Sequence, residues 1–121
     1  MRETHILVIN PNSTASMTHK IAAAARAAAG PLSRITAINP LTGPAAIQGP
    51  EDGAAALPGL FDLVERSLKT DPSVSAMIIR GVACFGISGS PPARQRRGRR
   101  WWFWVSCALE TAVKSLGALV A

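Results

Sequence analysis

Two short stretches carry groups able to do chemistry. In "NPNSTAS", residues 10–16, amide and hydroxyl side chains precede what reads as a helix start. Backbone N–H groups at a helix start have no intrahelical partner and attract anions, helped by the macrodipole. Asn12, Ser13 and Thr14 equally suit plain capping, and both readings stay open. The glycine pattern of dinucleotide and P-loop sites is absent. The second stretch is "VACFG", with Cys84. A thiolate is both a nucleophile and a base, but an ordinary thiol has a pKa of about 8.5 and needs its charge stabilised. Otherwise a cysteine on a buried strand serves as a small apolar residue. His5 and His19 lack metal-ligand spacing and read as structural or solvated. Glu51 and Asp52 fall near a predicted helix start, where the dipole favours them.

These stretches need elements to hold them. "HILVIN", residues 5–10, is a short continuous apolar run, the pattern of a strand buried on both faces of a parallel sheet. A helix follows to about Ala29, with Met17, Ile21, Ala24, Ala25 and Ala28 on one stripe; Gly30 and Pro31 stop it. "RITAINP", residues 34–40, reads as a second strand. A loop, "LTGPAAIQGPEDGA", leads to a helix that Pro58 and Gly59 should break before it resumes over "LFDLVERSLK". "SAMII", residues 75–79, is a third strand. The β-α-β-α-β order predicts an α/β fold, a short parallel sheet with flanking helices and right-handed crossovers. Ligands of such sheets bind beyond the carboxyl ends of the strands. The turn at Asn10 and the segment at Cys84 both lie there.

The chain has 121 residues and a formal charge of +6. Five of the charges, on Arg94, Arg96, Arg97, Arg99 and Arg100, sit in one tract, and without them +6 becomes +1. The basicity is therefore local. The tract, "RQRRGRRWWFW", also invites an alternative reading, a basic module for nucleic acid or an anionic membrane surface, with arginines on phosphates and aromatics on bases or at the interface. A selected module of that kind would carry a recognisable fold motif or basic residues spread over a face, and neither is present in the sequence. The expectation is no specific nucleic acid and no membrane. Two cysteines, Cys84 and Cys107, do not make a disulfide framework, and the N-terminal apolar run is too short for a signal segment or a span. A soluble protein of a reducing, cytoplasmic compartment is expected.

"ILVINPNSTASMT", "INPLTGPAAIQGPEDGAAALPGL" and "ACFG", in that order, resemble the aspartate/glutamate/hydantoin racemase family, most strongly its hydantoin and allantoin branch. The resemblance runs from Met1 to about Gly86 and, weakly, over the final helix. It implies the N-terminal domain of a two-domain, cofactor-independent racemase, with no metal and a small-molecule substrate, an amino acid or hydantoin derivative. It implies one cysteine from each domain: one thiolate removes the α-proton and the other thiol returns a proton on the opposite face. Cys84 matches the first family cysteine. Asn10, Pro11, Asn12 and Ser13 match the substrate-binding turn, and Gln48 lies in the matching loop as a pocket-lining candidate. The full-length family is compatible with a homo-oligomer.

The chain departs from the family in three places. It is roughly half the family's length, so the second domain and its cysteine are not matched, and Cys107 does not replace that cysteine by position. The third strand carries Arg80, Gly81 and Val82 before "ACF". An odd insertion there turns the residues after it, Cys84 included, to the other face. Finally, the tract from about Ile87 to Ser106 departs from the family pattern. Writing "WWFWV" as TGG TGG TTY TGG GTN and reading from the third base yields Val-Val-Leu-Gly, a family-like strand; CGN arginine codons yield alanine, proline, threonine or serine. The organisation expected is a racemase-like α/β domain over residues 1–86, a basic, aromatic tract read as out of frame over 87–106, and a helix over 107–121. Poor order or a non-native arrangement is expected beyond Gly86, and a truncated, inactive fragment as the functional consequence.

Overall fold

The structure, a computed structural model, describes residues 4–80 and the backbone of residues 94–96 and 99–106. In order these form β1 (Thr4–Ile9), α1 (Ala15–Ala28), β2 (Ser33–Ile38), α2 (Pro50–Thr70), β3 (Ala76–Arg80), β4 (Arg94–Arg96) and β5 (Arg99–Ser106). The sheet order is β2-β1-β3-β5-β4. Cys84, Cys107, Gly81 and Val82 of the three-residue insertion, and the helix expected over residues 107–121 lie outside the described residues.

β1 is the centre of the arrangement. It pairs in parallel with β2, Ile6 opposite Ile35, and with β3, Ile6 opposite Ala76. All six of its residues are buried, which is what a central parallel strand covered on both faces requires. Alternation then sorts the side chains into two cores. Ile6 and Val8 join Ile35, Ala76 and Ile78 against Ile21 and Ala25 of α1. Leu7 and Ile9 join Met77 and Ile79 against Leu60 of α2, with Val74 beside them. The helices therefore cover opposite faces, and burying each large aliphatic side chain contributes about 1.5–3 kcal/mol.

Two details differ from the pattern read off the sequence. Along α1 the buried stripe is Thr18, Ile21, Ala22 and Ala25, while Met17 is 42% exposed. Ile21, Ala24, Ala25 and Ala28 pack against the core as the stripe predicts; only at its start does buried Thr18, bonded to Asn10 and Asn39, take the place read for Met17. In addition, α2 runs unbroken through Pro58. A mid-helix proline costs about 3 kcal/mol; here partly buried Leu57 and buried Leu60, on either side of it, both pack on the sheet core. Gly59 lies against the loop after β2, where an added Cβ would sit 3.4 Å from the Pro40 Cβ.

The sheet also continues past its third strand. β5 pairs in parallel with β3, Ala76 opposite Trp102 and Arg80 opposite Ser106, and β4 pairs antiparallel with β5. The sequence pattern ends the sheet at "SAMII" and marks the aromatic tract as disturbed. Trp, Phe and Val suit a pleated surface, and their backbone is extended and paired.

At the amino end of the sheet, His5 is buried in a polar cluster. Its Nε2 lies 2.7 Å from Thr36 Oγ1, and its Nδ1 lies 2.9 Å from Ser73 Oγ, 3.0 Å from Arg34 Nη2 and 3.7 Å from Asp71 Oδ2. Ser73 donates from both its hydroxyl and its backbone N–H to Asp71 Oδ1. Those hydrogen bonds, chiefly the hydroxyl's, hold the Asp71 carboxyl below its usual 3.8; His5 and Arg34 act in the same direction, against partial desolvation. His5 is thus a structural histidine that ties the starts of β1 and β2 to the turn before β3.

Candidate functional site

The carboxyl ends of β1 and β2 converge on a polar assembly. The Asn10 N–H donates to Ile38 O at 2.9 Å, extending the β1–β2 ladder one residue past the strand. β1 alternation puts the Asn10 side chain on the α1 side, with Ile6 and Val8, where its Nδ2 donates to Asn12 Oδ1 at 2.8 Å and to Thr18 Oγ1 at 3.1 Å. Its Oδ1 accepts from the Asn12 N–H at 3.3 Å. Asn12 Oδ1 accepts in turn from the Thr14 N–H at 3.0 Å, an Asx-type turn that leads into α1. Asn10 is 2% exposed and Asn12 6%, so these amides need the partners they have.

The loop after β2 is fastened to the same turn. The Ser13 N–H donates to Pro44 O and the Ser13 hydroxyl to Gly43 O, each at 3.0 Å. The Thr14 hydroxyl donates to Ala45 O at 2.7 Å. Gly43 has φ +107, a left-handed value that suits a residue without Cβ and turns its carbonyl into this clamp. Thr18 Oγ1 donates to Asn39 Oδ1 at 2.6 Å, which adds the end of β2 to the network.

The structure therefore brings Asn10, Pro11, Asn12 and Ser13 together, with Pro11 and Asn12 buried and Ser13 half-buried. Gln48 is exposed in the clamped loop, and its backbone N–H bonds the Asp52 carboxylate at 3.0 Å. That bond uses Asp52 as a helix-start residue of α2. Capping by side chains is narrower than the sequence suggested: Thr14 is the N-cap of α1 but makes no side-chain cap bond. The N–H groups of Asn12, Ser13 and Thr14 are satisfied internally, which leaves those of Ala15 and Ser16 without a partner among the described residues. Sequence reasoning missed Thr18 and Asn39. The signal was present as a threonine in an otherwise apolar buried stripe, one turn past the cap and level with a strand-end asparagine.

Arg80, at the carboxyl end of β3, is half-buried, and its Nε is buried without a hydrogen-bond partner among the described residues. No group of three His, Cys, Asp or Glu side chains able to hold a metal occurs among the described residues. No helix among them is long and apolar enough to cross a membrane.

With this geometry the comparisons with known proteins agree. The hydantoin racemase of Paenarthrobacter aurescens is 39% identical over 94 residues, 78% of this chain and 38% of that protein. The allantoin racemase from Klebsiella pneumoniae superposes with a TM-score of 0.58 at 37% identity, covering 63% of this chain and 30% of that one. The allantoin racemase from Pseudomonas fluorescens gives 0.57 at 35%, covering 64% and 32%. The chain thus spans about a third of the length of these relatives. The family match covers residues 6–97, reaching past Gly86, where the motifs alone placed its end, into the basic tract. A match over that span, on a parallel α/β sheet with an asparagine turn at the end of β1, places this chain in the Asp/Glu/hydantoin racemase family.

Proposed function

We propose that these residues form one side of a cofactor-independent racemase site acting at the α-carbon of a hydantoin-type or amino-acid derivative. Cys84, as thiolate, takes the α-proton. The electron pair left behind delocalises into the adjacent carbonyl, whose oxygen gains charge and needs fixed donors. A second thiol on the opposite face returns a proton to the same carbon, which inverts the centre and leaves the second sulfur as thiolate. Asn12 and Ser13 belong to the donor side of this site, and Gln48 to its rim. The observation that supports the reading is the buried, internally bonded turn of residues 10–14 at the carboxyl end of the central strand, in a chain of this family.

The relatives are about three times as long as the segment matched here, and Cys84 is the one family cysteine the chain carries in its matching position. Alone, therefore, the chain does not complete a racemisation. The test is the loss of optical rotation of an optically pure 5-substituted hydantoin. The expected result is racemisation at the buffer rate for the chain and for its Cys84→Ala variant alike. Faster racemisation by the chain that disappears with Cys84→Ala would show a complete site and refute the half-site reading.

A further inference from the structure

We propose that Thr18 and Asn39 are positioning residues that decide which end of the Asn12 amide faces a ligand. The assignment rests on the reading of the residue 10–14 turn as a substrate-binding element.

The direction of every hydrogen in the relay is set by its ends. Asn39 Nδ2 donates to Pro40 O at 2.9 Å, and a main-chain carbonyl can only accept. Asn39 must therefore present Oδ1 to Thr18. The Thr18 hydroxyl has one hydrogen; of its two acceptors, the Thr14 carbonyl at 3.4 Å and Asn39 Oδ1 at 2.6 Å, the nearer one, Asn39 Oδ1, takes it. Thr18 Oγ1 is then an acceptor toward Asn10, which must offer Nδ2, at 3.1 Å. With Nδ2 turned that way, Asn10 also donates to Asn12 Oδ1 at 2.8 Å and keeps Oδ1 for the Asn12 N–H. The far end agrees: the Thr14 N–H can only donate, and it too points at Asn12 Oδ1. Asn12 Oδ1 is thus occupied twice from inside.

The outward end is Asn12 Nδ2. It lies 2.9 Å from Met17 Sδ, a weak acceptor on a half-exposed side chain, and its other hydrogen has no partner among the described residues. The relay converts an amide that could face either way into a fixed N–H donor. Such a donor fits a carbonyl or carboxylate oxygen and rejects a ligand that offers an N–H at that place. A fixed donor needs no reorganisation when charge develops on the oxygen it meets.

The experiment is solution NMR on the 15N-labelled chain, with 5-methylhydantoin as probe. In the free chain, Thr18→Val should shift the side-chain amide signals of Asn10 and Asn12 and speed their solvent exchange, with the backbone amides of β1 and β3 unmoved. Thr18→Ser, which keeps the hydroxyl, should retain the original signals. On titration, the probe should move the Asn12 side-chain signal. Thr18→Val should weaken binding about tenfold, the scale of one lost hydrogen bond, and Thr18→Ser should leave it unchanged. Asn39→Ala, which removes the acceptor that takes the Thr18 hydrogen and lies outside α1, should weaken binding in the same way, and it serves if Thr18→Val does not fold. Equal affinity of wild type and Thr18→Val overturns the assignment, as does equal damage by Thr18→Val and Thr18→Ser. So does unchanged binding by Asn39→Ala. If the wild-type chain does not bind the probe, the substrate-binding reading fails instead. The free-chain amide signals then still decide the relay: signals that stay put in Thr18→Val overturn it, and signals that move support it.

Discussion

Replacing Asn10 with alanine removes the joint through which α1, the strand end and the turn are connected. The side chain makes two bonds of good length, to Asn12 Oδ1 and Thr18 Oγ1, and one long bond from the Asn12 N–H at 3.3 Å. A neutral hydrogen bond contributes about 0.5–1.5 kcal/mol net. Asn12 Oδ1 and Thr18 Oγ1 each retain another partner in the variant. The Asn12 N–H does not, and Asn12 is 6% exposed, so stranding that donor costs about 1–3 kcal/mol. The expected loss is about 3 kcal/mol, a large part of the roughly 5–15 kcal/mol typical of a domain. In urea unfolding, at a small-domain m-value of about 1.5 kcal/mol/M, the midpoint falls by about 2 M. A double-mutant cycle with Thr18→Val should show a coupling of about 1 kcal/mol, since the two residues share a bond. A loss below about 0.5 kcal/mol, or additive single variants, would refute the claim that this network is buried and mutually dependent.

Other outcomes test the frame around the site. Ile78→Ala, at a fully buried position facing α1, should lose about 2–5 kcal/mol, whereas Phe61→Ser, at 60% exposure, should stay within about 0.5 kcal/mol; urea midpoints for the pair check the assignment of faces. Pro58→Ala should raise the midpoint, because it restores a helical N–H and removes a ring clash at a continuous stretch of α2; an unchanged or lower midpoint would mean that the helix depends on the proline. Asp71 titrates below its usual value when folded, so its stabilising contribution is complete above about pH 4 and is lost as pH falls through the folded pKa. Comparing wild type with Asp71→Asn from about pH 6 down to about pH 2.5 should show a steeper acid loss in the wild type; identical slopes would contradict the Ser73–Asp71 bonding.

β1 and β3 were legible because a strand buried on both faces has few alternatives. "HILVI" and "AMII" are continuous apolar runs, and residues of that kind reached the core as read. The turn was legible for a different reason: asparagine, serine and threonine between a strand and a helix have local roles that sequence spacing displays. Pro58 misled because local backbone cost was weighed without the packing of Leu57 and Leu60, which only the assembled sheet provides. Thr18 and Asn39 escaped because their meaning depends on the ends of two strands and a helix meeting, and no spacing along the chain encodes that meeting. The extended backbone of residues 99–106 was obscured by charge: five arginines drew the reading toward binding or disruption, while the aromatic and β-branched residues beside them retained their preference for a strand. Whether the tract is out of frame is a question for the coding DNA, where an insertion or deletion near codon 86 is the expected finding.

A footprint of the two thiols bears most directly on the half-site. With iodoacetamide as reagent and mass spectrometry as readout, alkylation of Cys84 and Cys107 is followed from about pH 6 to about pH 9, a range that brackets an ordinary thiol, with and without 5-methylhydantoin. The account predicts that Cys84 reacts at lower pH than an ordinary thiol and is slowed by the hydantoin, while Cys107 shows neither behaviour. Two cysteines that react alike, with the hydantoin protecting neither, would contradict it.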